Sequence, residues 1–559
     1  MIAKHKSSLL LTLSVTGLLI GGGIVAYWVL SQRNSSPQAL PMGANIIPQD
    51  ALVTVSISTD PAKWEHLREF GTKATQAELD RELTQLREQF LTNNGYDYQE
   101  DVQPWVGQEV TLAVLPQPAP TPGTVPPPPG TSQQSVMAVL PIADPVRAKQ
   151  LLEDPKPLKQ SQWTKRTYKG VQIEQSQGAS DYSATVLDGR FLVVTNNPKA
   201  VEQAIDTDKS GTSIATTPGF TAALEQIQAS QPFAQLYLNI PAAVRFMAAN
   251  SGQSIFPQTL TQLQENQGLA TTVTLKQEGI ELQSISWLQP NSSQKHLVEN
   301  NAGGMPSRFP ADTLMMLSGG DLQQLWQDYF LSSSNSKAPI APANLQAGVN
   351  SLTGLDLDRD FLSWMKGPFS LSLIPSAPKA NVPNNFALAL GLMVQTNDRA
   401  QAEKTFQKLD QLMSSRYQFN VQPAKINGQP VVKWVAPYGT LTATHGWLDG
   451  NVAFLTVGAP IAEQIVPNPG TNTLASSALF QKTVPPQPNP NNGQVFIDMD
   501  RLLKTFPGIQ SLQQPYIDAI RSIGITTAVS DERSIHYNAF VSLKNAGEPD
   551  PLPSPTTSP

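Results

Sequence analysis

The sequence predicts an α+β protein: an N-terminal transmembrane helix followed by two tandem homologous modules, each a largely antiparallel sheet with helices packed on one face. Three observations carry this expectation. An uncharged run occupies residues 9–30, one set of motifs occurs twice in the same order about 260 residues apart, and short turn signals separate most strand-like segments within each copy.

The run from Leu9 to Leu30 has 22 residues without a charge. As a helix it is about 33 Å long, against a hydrocarbon core of about 30 Å. The hydroxyls of Thr12, Ser14 and Thr16 can return to helix carbonyls, and Tyr27 and Trp28 fall where interfacial aromatics sit. Lys4 and Lys6 precede the run and only Arg33 follows closely, so the positive-inside rule places the stub 1–8 in the cytoplasm and the bulk across the membrane. A cleaved signal peptide has a shorter apolar core, of about 7–15 residues, and a small-residue cleavage site. Ala39 follows Pro37 and Gln38, so an uncleaved signal-anchor is expected.

After a linker at 31–44, the copies occupy 45–290 and 308–545. "IPQDALVTVS" from Ile47 resembles "FPADTLMMLS" from Phe309, and Trp64 corresponds to Trp326. "GYDYQEDVQPWVGQEVTLAVLP" from Gly95 matches "GLDLDRDFLSWMKGPFSLSLIP" from Gly354, pairing Trp105 with Trp364. "LDGRFLVVTNNPKAVEQAI" from Leu187 matches "LDGNVAFLTVGAPIAEQIV" from Leu448, and the closing segments from Gly268 and Gly524 run parallel. The linker 291–307 is polar and Gly-rich, and the tail 546–559 is Pro-rich and expected to be disordered.

Within the first copy, Leu52 to Ser58 alternates as a strand does, and Asp60-Pro61 opens a helix as N-cap and first-turn proline. Leu79, Leu83, Leu86 and Phe90 recur at helical spacing over 76–92. Strands follow at 109–115 and 135–142, then a helix at 145–153 and a strand at 165–175. Asp188-Gly189 marks a type I′ hairpin, repeated as Asp449-Gly450. A helix after Pro198, a strand at 233–240 and a hairpin around Gln277-Glu278-Gly279 complete about nine strands per module. The stretch 116–130 holds eight prolines in fifteen positions; it reads as a stiff surface loop, or as a polyproline ligand.

Composition excludes several functions. There is no cysteine, hence no disulfide, thiolate metal site, thiol nucleophile or lipidated cysteine. Charged residues are 15%, against about 25% in typical domains. The net charge is -6, and removing Lys4, Lys6 and Arg33 leaves 35 basic against 44 acidic residues, -9 for the exported part, which speaks against a nucleic-acid partner. No phosphate loop, dinucleotide fingerprint, HExxH or GxSxG is present.

The five histidines are His5, His66, His296, His445 and His536, and none recurs at the repeat offset, which excludes a His mechanism common to both modules. His445, beside the Asp449-Gly450 turn, is the best single candidate for a general base. Asp356-x-Asp358-x-Asp360 resembles the first half of a calcium loop, but Phe361 stands where Gly is needed and Gly367 where Glu is needed. Its counterpart keeps Asp97 and Asp101, so helix capping is the expected role. The tryptophan pairs read as core anchors. No catalytic, cofactor-binding or metal-binding residue is therefore assigned, and no enzyme activity is expected.

The "IPxDAL" strand, the Trp-bearing helix, the "G-[YL]-D-x-x-x-D…W…G" segment and the "LDG" hairpin before a Pro-started helix together resemble a family of unknown function. Its members are exported bacterial proteins, common in cyanobacteria, with an N-terminal membrane anchor. The resemblance covers nearly the whole chain after residue 45 and implies the bulk in the periplasm or thylakoid lumen. It brings no activity or binding residue with it. The resulting expectation is a non-catalytic, membrane-anchored binding or assembly module with an envelope or lumenal protein partner. The alternatives are a carrier or sensor of an apolar ligand such as lipid or pigment, and an envelope hydrolase using His445 or a carboxylate pair in one module only.

Overall fold

The computed structural model describes residues 40–550 except 92–95, 117–133, 154–161, 178–181, 228, 230, 251–264, 297–298, 334–341, 377–386, 440, 467–469 and 507–514. The first repeat supplies β1 (Val53–Ser58), β2 (Glu109–Leu115), β3 (Ser135–Pro141), β4 (Gln162–Tyr168), β5 (Val171–Gln177), β6 (Ser183–Leu187), β7 (Phe191–Thr195), β8 (Ala234–Asn239), β9 (Asn266–Lys276) and β10 (Gly279–Leu288). The second supplies β11 (Met315–Gly319), β12 (Phe369–Pro375), β13 (Leu388–Gln395), β14 (Asn420–Ile426), β15 (Gln429–Val435), β16 (Thr442–Trp447), β17 (Val452–Gly458), β18 (Gly493–Asp498), β19 (Ile520–Asp531) and β20 (Ser534–Leu543). Helices α1 (Pro61–Glu69), α2 (Lys73–Phe90), α3 (Pro145–Glu153), α4 (Pro198–Ser210), α5 (Phe220–Gln226) and α6 (Ile240–Asn250) belong to the first repeat. The second has α7 (Leu322–Ser333), α8 (Pro342–Thr353), α9 (Arg399–Ser415), α10 (Ala462–Ile465), α11 (Ala478–Thr483), α12 (Met499–Thr505) and α13 (Pro515–Asp518).

Every strand pairing is antiparallel. In the first repeat the order is β4-β5-β6-β7-β3-β2-β1-β8-β9-β10, and the second repeat shows the same pattern from β14 to β20. The two halves join where β10 pairs with β20, from Gly279↔Ser542 to Trp287↔Ser534. With Trp287 and Ser542 at matching places in the closing hairpins, this register is symmetric about Gln283↔Asn538. It is the isologous contact of a two-fold dimer, built inside one chain.

Three features of the expected fold class are corrected here. There is one antiparallel sheet of 20 strands among the described residues, not one sheet per module. The reason is the strand edge: β10 and β20 would each present unpaired N–H and C=O groups, and pairing them to each other removes both edges. Helices lie on both faces rather than one. Val193 of β7 packs with α4, α5 and the segment 40–51, while its neighbours Leu192 and Val194 pack with α3 and the turn carrying Trp105. The sign of this is the unbroken apolar run of β7, which a sheet with one solvated face does not need. Finally, among the described residues no helix is long and apolar enough to cross a membrane, and the run 9–30 lies outside them.

Local signals act as their chemistry dictates. The Asp60 carboxylate accepts the Ala62 N–H at 3.0 Å. Asp188 and Gly189 both have positive φ, 51° and 64°, whereas in the second copy only Gly450 does, at 61°. Leu79, Leu83 and Leu86 of α2 pack on Val55, Ile57 and Trp64. The repeats are also clasped beyond the sheet: Tyr516 of α13 donates to Glu82 of α2 at 2.9 Å, and Lys544 O accepts the Gly71 N–H at 2.6 Å.

Candidate functional site

The duplicated acidic motif is a capping device. Asp97 accepts from Gln99 N–H at 2.8 Å and Glu100 N–H at 3.1 Å, while Asp101 accepts from Asp97 N–H at 2.7 Å. Trp105 Nε1 then donates to Asp101 O at 2.7 Å. In the second copy Asp356 accepts from Arg359 N–H at 2.8 Å, Asp360 from Asp356 N–H at 2.9 Å, and Trp364 Nε1 donates to Asp360 O at 2.9 Å. Each Asp thus closes a short π-helical turn and sets a tryptophan into the core, where Trp105 and Trp364 are both buried. Asp358 accepts from Gln346 Nε2 at 2.8 Å. Among the described residues no three metal-ligating side chains converge. Burial pushes the Asp360 carboxyl up, but the Asp356 N–H and Lys408, at 2.9 Å, outweigh it and hold the group below the usual carboxylate value. Trp64 is buried with Nε1 on Ser58 O at 2.8 Å, and Trp326 is half-buried beside the equivalent cluster.

His445 lies on β16 with Nε2 2.8 Å from Asp410 of α9. Its ring stacks on Phe406, centroids 4.5 Å apart at 9°, and Trp434 Nε1 donates to the same Asp410 oxygen at 2.6 Å. The ring is thus a clamp between sheet and helix, 5% exposed. His445→Ala should cost about 2 kcal/mol through lost packing and a lost hydrogen bond to a charged group, read from the urea midpoint. His66 contacts Glu69 and the Lys276 carbonyl at the surface. His5 and all of the proline-rich stretch after Pro116 lie outside the described residues.

The residue that sequence reasoning missed is Trp287. It is the penultimate residue of β10, 6% exposed, with Nε1 donating to Pro218 O at 2.9 Å. Its ring lies between two glycines: a Cβ on Gly219 would fall 2.5 Å from Nε1, and one on Gly268 2.8 Å from the ring. The indole is a wedge that holds α5 off the sheet. Ser542 occupies the matching place in the second repeat. There α11 descends onto the sheet, so that a Cβ on Gly524 would fall 2.2 Å from Thr483 O. The signal was present in the aligned closing segments, as a tryptophan opposite a serine.

The wedge opens a cleft of about 490 Å³ at the seam. Ile285, Trp287 and Leu288 with Ala222 and Ala223 of α5 supply an apolar side, and the β19–β20 turn, Asp531 to Ser534, supplies a polar one. That turn is pinned by the segment that follows β10: Lys295 reaches Glu532 at 2.6 Å, and Arg533 donates to the Gln289 carbonyl. Next to the cleft, His536 Nε2 is 3.1 Å from Gln226 Oε1 across the repeats. Burial pushes the His536 imidazole below its ordinary value, with Asp531 opposing.

A family model described as "Protein of unknown function (DUF3352)" matches residues 12–543. Among solved structures, crystal forms III, IV and I of TP0453 are similar at 11%, 10% and 11% identity. They cover 45% of this chain and 82%, 83% and 81% of theirs, with TM-scores of 0.25, 0.25 and 0.23, too low to carry an argument. No curated protein matches the chain.

Proposed function

This chain belongs to the DUF3352 family of proteins of unknown function, and from that premise we propose that it is a non-catalytic binding module whose compact, mainly apolar ligand seats in the cleft between the repeats. The observation that carries the reading is the cleft over Trp287, to which both repeats contribute. Its volume of about 490 Å³ falls in the range of small-molecule sites, about 300–1,000 Å³. An apolar side facing a few polar groups is the usual composition of such a site. The hydrolase reading has less support, because His445 is spent on Asp410 and Phe406 within a packed cluster.

Calorimetric titration with 1-anilinonaphthalene-8-sulfonate tests this. Ala222 is exposed at the cleft rim, so Ala222→Phe should leave the melting temperature unchanged while its ring obstructs the cleft. The expected result is the loss of one equivalent of bound dye. Unchanged stoichiometry and affinity would sink the proposal.

A further inference from the structure

We propose a second, separate site: the α1/α2-side face of the sheet in the second repeat binds a free single-chain anionic amphiphile, its acyl chain lying across the strands and its head group at Arg521. On that face Met315, Leu373 and Leu390 stand side by side across β11, β12 and β13, with Leu317, Leu371 and Leu392 in the next row. Ile497 and Ile523 prolong the first row onto β18 and β19, and Val495 and Ile525 the second. Neither row contains a polar side chain over these five strands, and the backbone groups between them belong to the sheet ladder. Leu390 is 62% exposed, Leu371 42% and Met315 38%.

The first repeat covers the same rows. There α6 lays Ala242 and Phe246 over Leu52 and Val114, and α1 and α2 bury Val55 and Ile57. In the second repeat α12 buries none of its residues. Leu392, at one corner of the band, packs against the Trp364 and Phe406 cluster together with Leu322 and Trp326 of α7, whereas the other nine residues of the band belong to no core cluster among the described residues.

Its size selects the occupant. Five strands span about 19 Å and two rows about 14 Å, roughly 270 Å². A stable protein interface needs about 800 Å² per partner, so a second copy or another folded partner is poorly matched. An acyl chain fits: half of a hydrocarbon core is about 15 Å, less than the band is long. The band's aliphatic rows offer no directional polar group, which suits a hydrocarbon. Charge complements this at one end. Arg521 is exposed at the bulge of β19 between Ile520 and Ser522, beside the end of the first row, and no ion pair engages it among the described residues.

The test is equilibrium dialysis of the full chain with tritiated palmitate. Saturable binding is expected, weakened at least tenfold in Leu371→Asp/Leu390→Asp and about threefold in Arg521→Glu, and unchanged in Ala222→Phe, whose cleft lies on the opposite face. If the double variant does not fold, Leu390→Gln alone should weaken binding about threefold. Three results would overturn the proposal: no saturable palmitate binding by the folded chain, loss of binding in Ala222→Phe but not in the band variants, or a dimer in sedimentation velocity that Leu390→Asp dissociates.

Discussion

Gly279→Ala should destabilise the protein by about 3 kcal/mol or more, with the loss centred on the seam between the repeats. Gly279 begins β10 opposite Ser542 of β20 at φ 153°, a region that side-chain-bearing residues rarely enter. A Cβ there would lie 2.1 Å from the Val541 carbonyl oxygen. The obstacle is backbone, so no rotamer change relieves it, and β10 has to move away from β20. Hairpin Gly428 is the control: its φ is 85° but nothing lies within 4 Å of the added atom, so Gly428→Ala should cost only about 1–2 kcal/mol. Urea unfolding gives the magnitudes, and hydrogen exchange gives the place. Faster exchange is expected in 279–288 and 534–543 for Gly279→Ala and not for Gly428→Ala. Equal effects of the two substitutions would contradict the seam geometry.

The second large effect is expected at Asp360, whose carboxylate serves the Asp356 N–H and Lys408 from a buried position. Asp360→Ala should cost about 3 kcal/mol at neutral pH, since it orphans a backbone donor and breaks a half-buried ion pair. Asp360→Asn keeps an acceptor for the Asp356 N–H and should cost less, about 1–2 kcal/mol. The pH dependence has a definite sign. The folded-state pKa is held below the ordinary carboxylate value of 3.8, so the folded chain binds its proton more weakly than the unfolded chain. This stabilisation is fully present above the unfolded pKa and is lost as pH falls through the folded one. The gap between wild type and Asp360→Ala should therefore stay constant from pH 7 to about pH 5 and narrow below about pH 4. A gap that widens in acid would refute the assignment.

These two sites differ in how readable they are from the chain. The capping bonds of the Asp360 motif lie between Asp356 and Trp364, and capping was evident from acidic residues placed just before a tryptophan, whereas Lys408 reaches Asp360 from α9. The Asp60 cap and the Asp188-Gly189 turn are equally local. Gly279 was legible only as a turn glycine. Its closest neighbour, Val541, is more than 260 residues away, in the other repeat. His445 shows the same limit: its position on a strand was plain, but Asp410 and Phe406 reach it from a helix more than thirty residues earlier.

By itself the amino-acid sequence determined the local chemistry of this protein: its caps, its hairpins, the duplicated Trp-bearing turns, and the order of segments in two copies. Only the tertiary structure decided that the copies share one sheet, that helices cover both faces, and that Trp287 opens a cleft where Ser542 lets a helix close down. The physical reason is that caps and turns are satisfied by neighbours in the chain, whose spacing is written in the sequence. Strand edges are satisfied by generic N–H and C=O groups that every residue carries, and apolar faces by any surface of suitable shape, so neither names its partner in advance.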